Sequence, residues 1–293
     1  MRLAEHLPKF LLRHRIIEFL CKSGLQQRIC RIDFNENASS YIDLMDPEPR
    51  NTFIKNSFEP DFFELAKCFL SDDGGTFFDL GANVGFCSFG LLPIKPKCNY
   101  HLFEANPKII ELLRHSIEYH SKSRVNLTHA CVTSEEGTCK FCLANEQSGQ
   151  SHVATVDESG ISIPSITLDG YCLKNNISKI DFAKIDLEGH ELSALKGWGT
   201  CLRDHIVKSI YIEIMEENQK RYGLKTNEPL IYLESLGYEL FLCKEDDFAD
   251  FGELPKNYEF ESNKLILSKF QARDFPRNFA TDVLALTPEK LRD

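Results

Sequence analysis

A glycine-containing turn at residues 79–85 carries the first side chains that could hold a ligand. The run FFDLGANVGFCSFG places Asp79 at the end of an apolar segment and continues into a helix-like one. Gly81 and Gly85 let the backbone turn tightly and approach a ligand, with Asn83 between them. The spacing is D-x-G-x-N-x-G, whereas a pyrophosphate-binding turn has G-x-G-x-x-G. A carboxylate before the turn repels phosphate and attracts a cationic ligand, such as an amino group or a sulfonium.

A second acid fits the same ligand. Glu104 ends the next apolar segment, 19 residues after Gly85. From that position a carboxylate accepts hydrogen bonds from both ribose hydroxyls of a nucleoside. A plain glycine turn and a helix-capping acid would give similar sequences, but the two motifs occur in order and in one strand–turn–helix–strand context. A ribose with a cationic group and no phosphates describes S-adenosylmethionine, which is the cofactor we expect.

Four more candidates follow two later apolar segments and could act on a methyl acceptor. Methyl transfer from a sulfonium is a displacement at an activated carbon, so the enzyme mainly has to align the reactants. A sugar hydroxyl is a poor nucleophile, and a base or a metal should assist it. His190 falls in the first turn of a helix, whose dipole favours a neutral imidazole, although an exposed histidine there is an equal alternative. The catalytic candidates are Asp186, Glu188, His190 and Glu213.

Strand-like and helix-like segments alternate from residue 76 onward. This alternation predicts an α/β fold with a doubly wound, mostly parallel sheet and antiparallel strands at its end. Such sheets bind ligands at the carboxyl ends of their strands, which is where the candidate acids stand. Residues 28–56 read as irregular, residues 144–164 as a polar flap over a site, and KLILSK (264–269) as the last strand.

Composition argues against several classes of protein. The 293 residues carry a formal net charge of −10, from 44 acidic and 34 basic residues, and we expect no nucleic-acid partner. Charges interrupt the apolar N-terminus, and no stretch approaches the roughly 18 apolar residues of a membrane span, so a cytoplasmic protein without a transmembrane segment is expected. The 11 cysteines are scattered, with one pair at Cys139 and Cys142. A zinc site usually needs a second pair, so we expect small core residues and no metal.

The N-terminal segment reads as a helical extension. Leu12, Ile16, Phe19 and Leu20 recur at helical spacing, which predicts a helix docked on the main domain. A peripheral membrane contact or a homo-oligomer contact is the alternative for this helix. The predicted organisation is an extension at 1–57, a catalytic domain at 58–270 and a C-terminal tail at 271–293.

Five segments resemble one known family. FFDLGANVG, LFEANP, SITLDGYC, KIDLEGHELSALKG and IYIEI are similar, in order and spacing, to the FkbM-type S-adenosylmethionine-dependent methyltransferases. The resemblance covers about residues 50–268 and implies a Rossmann-like class I methyltransferase fold. It also implies O-methylation of a hydroxyl on a sugar, a glycan or another small natural product.

The resemblance further assigns site residues. It implies that the turn binds the methyl donor, that Glu104 binds its ribose, that Asn106 approaches its adenine, and that Asp186 and Glu188 are paired acids beside the methyl group. The donor-binding candidates are Asp79, Gly81, Asn83, Gly85, Glu104 and Asn106.

Alternatives remain at this stage. We favour a base from the Asp186, Glu188 and His190 group over a magnesium ion held by Asp186 and Glu213. The other functions that the sequence allows are a donor-binding module without catalysis and, with a poorer glycine pattern, a dinucleotide-dependent oxidoreductase.

Overall fold

The computed structural model describes residues 13–120, 124–145, 147–243, 257–260, 265–276 and 279–290. In these ranges the helices are α1 (Arg13–Lys22), α2 (Pro47–Lys55), α3 (Pro60–Phe69), α4 (Phe86–Leu91), α5 (Pro107–His120), α6 (Leu168–Lys174), α7 (Glu191–Lys196), α8 (Gly199–Arg203), α9 (Glu216–Arg221) and α10 (Glu228–Ser235). The strands are β1 (Ile29–Phe34), β2 (Ala38–Asp43), β3 (Thr76–Leu80), β4 (Asn99–Glu104), β5 (Val125–His129), β6 (Cys131–Val132), β7 (Gly137–Cys142), β8 (His152–Val153), β9 (Ile161–Ile166), β10 (Phe182–Ile185), β11 (Ser209–Met215), β12 (Glu239–Leu242), β13 (Asn257–Phe260), β14 (Leu265–Phe270) and β15 (Ala280–Leu286).

The central sheet has the strand order β13-β14-β12-β15-β11-β10-β3-β4-β5. The five strands from β11 to β5 run parallel to one another, and β15 is antiparallel to both β11 and β12. The predicted doubly wound, mostly parallel sheet is confirmed. The chain moves outward from β3 to β5 and then returns to β10 on the other side of β3. The point of reversal between β3 and β10 is where such a sheet leaves a crevice for a ligand.

The end of the sheet differs from the prediction. KLILSK was expected to form the last strand, but β15 follows it and lies between β11 and β12. Residues 280–286 therefore belong to the interior of the sheet, although they fall in the expected tail at 271–293. Their run ATDVLAL buries Val283, Leu284 and Leu286 completely, because neighbouring strands cover both edges and the sheet faces are covered.

The prediction that residues 28–56 are irregular was wrong. β1 and β2 form an antiparallel hairpin, and Asn35 and Glu36 turn the chain with φ angles of 44° and 65°. The segment DPEPRN is a helix start rather than a loop. Asp46 accepts a hydrogen bond from the backbone N–H of Glu48 at 3.3 Å, and Pro47 occupies the first turn, where it needs no N–H partner.

The N-terminal segment shares the core of the main domain. Ile32, Phe34 and Ile42 of the hairpin belong to one buried cluster with residues of α3, α4 and α5. α1 buries Ile17 and Leu20, whereas Ile16 and Phe19 of the predicted face are 36% and 65% exposed, so that part of the predicted face was wrong. Leu12 lies outside the described residues. The boundary at residue 57 stays a prediction, as does any oligomer or membrane contact through the exposed side of α1.

A smaller sheet, ordered β6-β9-β7-β8, lies beside the carboxyl edge of the central sheet. Its strands β8 and β9 include part of the polar segment 144–164 that was expected to form a flap, and Ser148, Gly149 and Val153 of that segment line the cavity described below. That the segment covers a functional site stays a prediction. Among the described residues, no helix is long and apolar enough to cross a membrane.

Candidate active site

A cavity of about 190 Å³ opens at the carboxyl ends of β3, β4, β10 and β11. Its wall includes Gly81 and Asn83 from the turn, and Phe103 and Leu187 beside the strand ends. Six of its lining residues are acids, namely Glu48, Glu59, Glu104, Asp186, Glu188 and Glu213. Four of the five sequence-predicted acids, Glu104, Asp186, Glu188 and Glu213, thus meet at one edge of the sheet, as parallel strands require.

The glycine turn is packed against the segment that carries Asp186. A Cβ on Gly81 would lie 1.9 Å from the backbone oxygen of Asp186, and one on Gly85 would lie 2.4 Å from the ring of Phe89. Both glycines have φ near 80°, at 77° and 79°. Any side chain at Gly81 would push β10 away from the turn, so the glycine is needed for both conformation and space.

Asp79 supports the turn from beneath. Its side chain is 1% exposed and accepts a hydrogen bond from the hydroxyl of Ser88 at 2.5 Å. Burial raises the pKa of Asp79. It lies beside a smaller pocket with Lys184 rather than on the wall of the main cavity. In this geometry Asp79 ties the turn to α4, and its direct contact with a cationic ligand stays a prediction.

Glu104 lines the cavity, and backbone N–H groups hold its carboxylate in place. It accepts hydrogen bonds from the N–H groups of Asn83 (2.8 Å), Ala105 (2.8 Å) and Asn106 (2.7 Å). Burial raises its pKa to about 7. A carboxylate has about four acceptor positions, so the three bonds leave room for a further donor. A hydroxyl donated from the cavity would stabilise the charged form.

Asn106 does not line the cavity, and its side chain bonds two neighbouring segments of the chain instead. Its Oδ1 accepts the backbone N–H of Lys108 at 3.0 Å at the start of α5, and its Nδ2 donates to the hydroxyl of Ser151 at 3.3 Å. Ser151 belongs to the flap and does line the cavity. The geometry therefore makes Asn106 a link between α5 and the flap, and the adenine contact stays a prediction.

Asp186 and Glu213 form a carboxyl pair that holds one proton. Lys184 donates to Asp186 Oδ2 at 2.8 Å, and only 8% of the lysine side chain is exposed. Burial raises the pKa of Asp186, but the Lys184 ammonium outweighs burial and the net pKa is lowered. The charge of Asp186, followed by burial, raises the pKa of Glu213 to about 10. At neutral pH Glu213 is therefore the protonated partner and Asp186 the ionised one.

Glu188 is the cavity acid whose pKa lies nearest neutrality among the catalytic candidates. Burial, followed by the charge of Asp186, raises its pKa to about 7, while Asn218 donates to its Oε2 at 2.8 Å. Its backbone has a φ of 54°, a conformation that costs free energy in a residue with a side chain. The buried Glu191 fixes this loop by accepting the N–H groups of Leu187 and Gly189, each at 3.0 Å. Glu191 was not among the sequence candidates.

His190 lines the same cavity with a neutral ring. Burial lowers its pKa to about 4, so the imidazole carries no charge at neutral pH. Its Nε2 is buried and makes no hydrogen bond with the protein. The ring packs against Tyr222, with centroids 5.3 Å apart. The Nε2 atom is free to bond a group that enters the cavity.

Two further acids of the cavity were not among the sequence candidates. Glu48 of α2 and Glu59 before α3 line the cavity, and burial followed by the charge of Asp186 raises the pKa of Glu48 to about 7. The flap packs closely against Glu48, since a Cβ on Gly149 would lie 2.4 Å from Glu48 Oε2. Ser148 donates its N–H to Asp46 Oδ2 and its hydroxyl to Asn83 Oδ1, each at 3.0 Å. The N-cap residue Asp46 was the sequence signal that could have predicted α2 and thereby placed Glu48 on a helix.

The strand order and the site together define a class of protein. The sheet has five parallel strands, and the antiparallel strand β15 lies between the fifth of them, β11, and β12. A glycine turn follows the first parallel strand, β3, and an acid ends the second, β4. This is the architecture of a class I methyltransferase. The family model described as the methyltransferase FkbM domain matches residues 79–240. The chain belongs to this family, and its cofactor is S-adenosylmethionine.

Individual proteins also resemble this chain. The hexuronic acid methyltransferase AglP of Haloferax volcanii is 25% identical over 148 residues, which are 49% of this chain and 57% of that protein. The match thus spans little more than half of this curated relative. Precorrin-6y C5,15-methyltransferase of Geobacter metallireducens is 15% identical with a TM-score of 0.41, covering 78% of this chain and 87% of that one. TYW2 of M. jannaschii, solved with AdoMet, is 10% identical with a TM-score of 0.39, covering 89% and 88%.

Proposed function

We propose that the chain transfers a methyl group from S-adenosylmethionine to a hydroxyl of a sugar, a glycan or another small natural product. The observation that carries the proposal is that Glu188, whose pKa burial raises to about 7, lines the same cavity as Glu104, the candidate ribose ligand. A base with a pKa near the working pH is what a hydroxyl acceptor requires. The likeness to a hexuronic acid methyltransferase supports a sugar acceptor.

The residues present fit the cofactor. Bound S-adenosylmethionine would supply a methyl group on a positively charged sulfur. Glu104, with an acceptor position left open toward the cavity, would bind the ribose hydroxyls. Gly81 and Gly85 would keep the backbone of the turn close to the ligand, and the acidic wall would favour its positive charge.

A screen of hydroxyl acceptors with isotope-labelled donor, read by mass spectrometry, tests the activity. Methylated product on at least one hydroxyl compound supports the proposal. Donor binding without transfer to any acceptor would favour the donor-binding module instead. The oxidoreductase alternative has no support from the family to which the chain belongs.

Replacing Glu104 with Gln should weaken donor binding by roughly 1 to 3 kcal/mol, or about 5- to 150-fold in Kd. The amide has one acceptor oxygen, while three backbone N–H groups compete for it. Calorimetry with the demethylated donor measures the change. Glu111→Gln, on the exposed side of α5, is the matched control and should bind normally. An unchanged Kd in Glu104→Gln would place the ribose site elsewhere.

The charge of the cavity favours an uncharged acceptor over a uronic acid. Among the described residues that line the cavity, none is a Lys or Arg, and Lys184 beneath them already pairs with Asp186. Like charges at close range cost several kcal/mol. We expect kcat/KM for a neutral glucoside to exceed that for the matching glucuronide by about 10-fold or more. A preference for the glucuronide would refute this specificity and leave methyl transfer itself intact.

Base catalysis fits the acid pair better than magnesium does. The Lys184 ammonium contacts Asp186 Oδ2, and the protonated Glu213 shares a hydrogen bond with Asp186. A divalent ion would have to displace both partners from Asp186. Added magnesium should therefore leave the rate unchanged. If magnesium raises the rate, and Glu213→Gln removes the response, Asp186 and Glu213 are metal ligands.

A further inference from the structure

Three potential metal ligands meet on the outer face of the flap. Cys142 ends β7, His152 begins β8 directly opposite it, and Glu158 follows in the next turn. One ligand atom from each lies within 4.8 Å of the other two. Side chains alternate along a strand, and the neighbouring pair Phe141 and Val153 lines the cavity. The three ligands therefore lie on the side of the flap that faces away from the active site.

His152 is held so that its Nε2 atom faces Glu158. Its Nδ1 lies 2.9 Å from the backbone oxygen of Gln150, which can only accept, so this bond assigns the ring hydrogen to Nδ1. Nε2 lies 3.2 Å from Glu158 Oε1. A metal ion between these two atoms would accept a lone pair from each.

The surroundings fit a metal ion. Cys142 brings its sulfur to the same point, where the thiol donates a hydrogen bond to the backbone oxygen of Ser159 at 3.3 Å, and its thiolate would be a third ligand. In a tetrahedral zinc site, nitrogen and oxygen ligands at about 2.0 to 2.1 Å from the ion lie about 3.3 Å apart, close to the separation found. A carbonyl on the other ring nitrogen is the usual support of a metal-bound histidine.

Glu158 is also held in place for this role. Its Oε2 accepts the backbone N–H of Thr155 at 2.8 Å and the hydroxyl of Thr155 at 2.9 Å. These two bonds fix the carboxylate and leave Oε1 directed at His152. In the part of the chain that the structure describes, no other group of three His, Cys, Asp or Glu side chains meets the same distance limit.

We propose that Cys142, His152 and Glu158 bind one zinc ion, with a water molecule in the fourth position. Thiolate and imidazole ligands select zinc over magnesium or calcium. Binding forms a zinc–sulfur bond and releases the thiol proton to solvent. No metal was expected from the sequence, which has no second cysteine pair, whereas these ligands come from three segments that the fold of the flap brings together.

The ion would fasten the hairpin that covers the active site. Tyr222 of the main domain donates its hydroxyl to the backbone oxygen of Val153 at 2.6 Å, next to His152. Ser148, Gly149 and Ser151 lie between the zinc ligands in sequence and line the cavity. Zinc should therefore make the flap more rigid over the acceptor, whatever that acceptor is.

Zinc titration of the metal-stripped full-length protein tests the site without an activity assay. We expect one zinc ion per chain in competition with a chelating dye, and a Kd raised at least about 10-fold by Cys142→Ser or His152→Gln. Cys68→Ser on α3 and His115→Gln on α5 are the matched controls and should bind zinc normally. Unchanged zinc binding in Cys142→Ser, or none in the unmodified protein, would overturn the proposal.

Two further readouts report on the ligands and the flap. Cobalt bound in place of zinc should show a thiolate charge-transfer absorption that Cys142→Ser abolishes. Zinc should slow backbone hydrogen exchange in residues 147–158 of the unmodified protein and leave exchange unchanged in His152→Gln. Equal exchange with and without zinc in the unmodified protein would refute the proposal that the ion fastens the flap.

Discussion

Replacing Glu188 with Gln is expected to lower kcat by roughly 10²-fold or more, the usual effect of losing a general base. The amide nearly matches the carboxylate in shape and can keep the hydrogen bond from Asn218, so donor binding should stay near normal. The measurement is steady-state kinetics on an acceptor found in the screen, together with donor calorimetry.

The pH profile distinguishes a base from a residue that only shapes the cavity. Glu188 must be ionised to accept a proton, and its pKa is raised to about 7. The activity of the unmodified enzyme should therefore be present above about pH 7 and fall as the pH drops through 7. In Glu188→Gln this acid limb should disappear from the residual rate.

The matched control for Glu188 is Glu217→Gln. Glu217 is an exposed acid on α9, next in sequence to Asn218, which bonds Glu188. Its replacement should change neither kcat nor the pH profile. If Glu188→Gln keeps both kcat and the acid limb, the base is another member of the group. His190, whose buried Nε2 makes no hydrogen bond with the protein, would then be the next residue to replace.

Replacing Asp186 with Asn should also lower kcat by about 10²-fold or more. The ionised Asp186 pairs with Lys184 and accepts the proton of Glu213, so its loss unpairs two buried groups beside the reacting atoms. Breaking the ion pair should also lower the free energy of unfolding by about 3 kcal/mol, the low end for a buried pair, because Asn keeps one oxygen for the lysine. Urea denaturation measures this loss, and donor affinity should stay near normal.

The charge of Asp186 influences the pKa of Glu188, and the direction of this effect can be tested. The charge of Asp186 raises the pKa of Glu188, so removing that charge should lower it. The acid limb of the residual activity should therefore move to lower pH in Asp186→Asn. Asp181→Asn is the control, because Asp181 lies at the opposite end of β10 and bonds the backbone N–H of Thr76. A limb that stays in place would show that Glu188 does not set it.

Much of the site could be predicted because it is encoded locally. The D-x-G-x-N-x-G turn needs φ angles and space that glycine provides, and acids that directly follow apolar strands are visible in the sequence. Parallel strands then bring their carboxyl ends to one edge, so Gly81, Glu104, Asp186 and Glu213 had to meet. The alternation of strands and helices is also visible locally in the sequence, and it predicted a mostly parallel sheet.

Other features depend on contacts between distant segments. The position of β15 between β11 and β12 follows from pairing at both edges, which its own seven residues do not specify. Glu48 reaches the cavity only because the hairpin and α2 pack on the main core. The meeting of Cys142, His152 and Glu158 likewise depends on the register of β7 and β8.

The sequence by itself determined which acids reach the cavity from the sheet, while the tertiary structure decided which of them carries a proton. Asp186 and Glu213 look alike in sequence, each following a run of apolar residues. Lys184 outweighs burial and lowers the pKa of Asp186, whereas the charge of Asp186 and then burial raise the pKa of Glu213 to about 10. Such shifts arise from distance and desolvation in three dimensions, because electrostatic interactions strengthen where water is excluded. Neither the distance between two side chains nor their desolvation can be deduced from the spacing of residues along the chain.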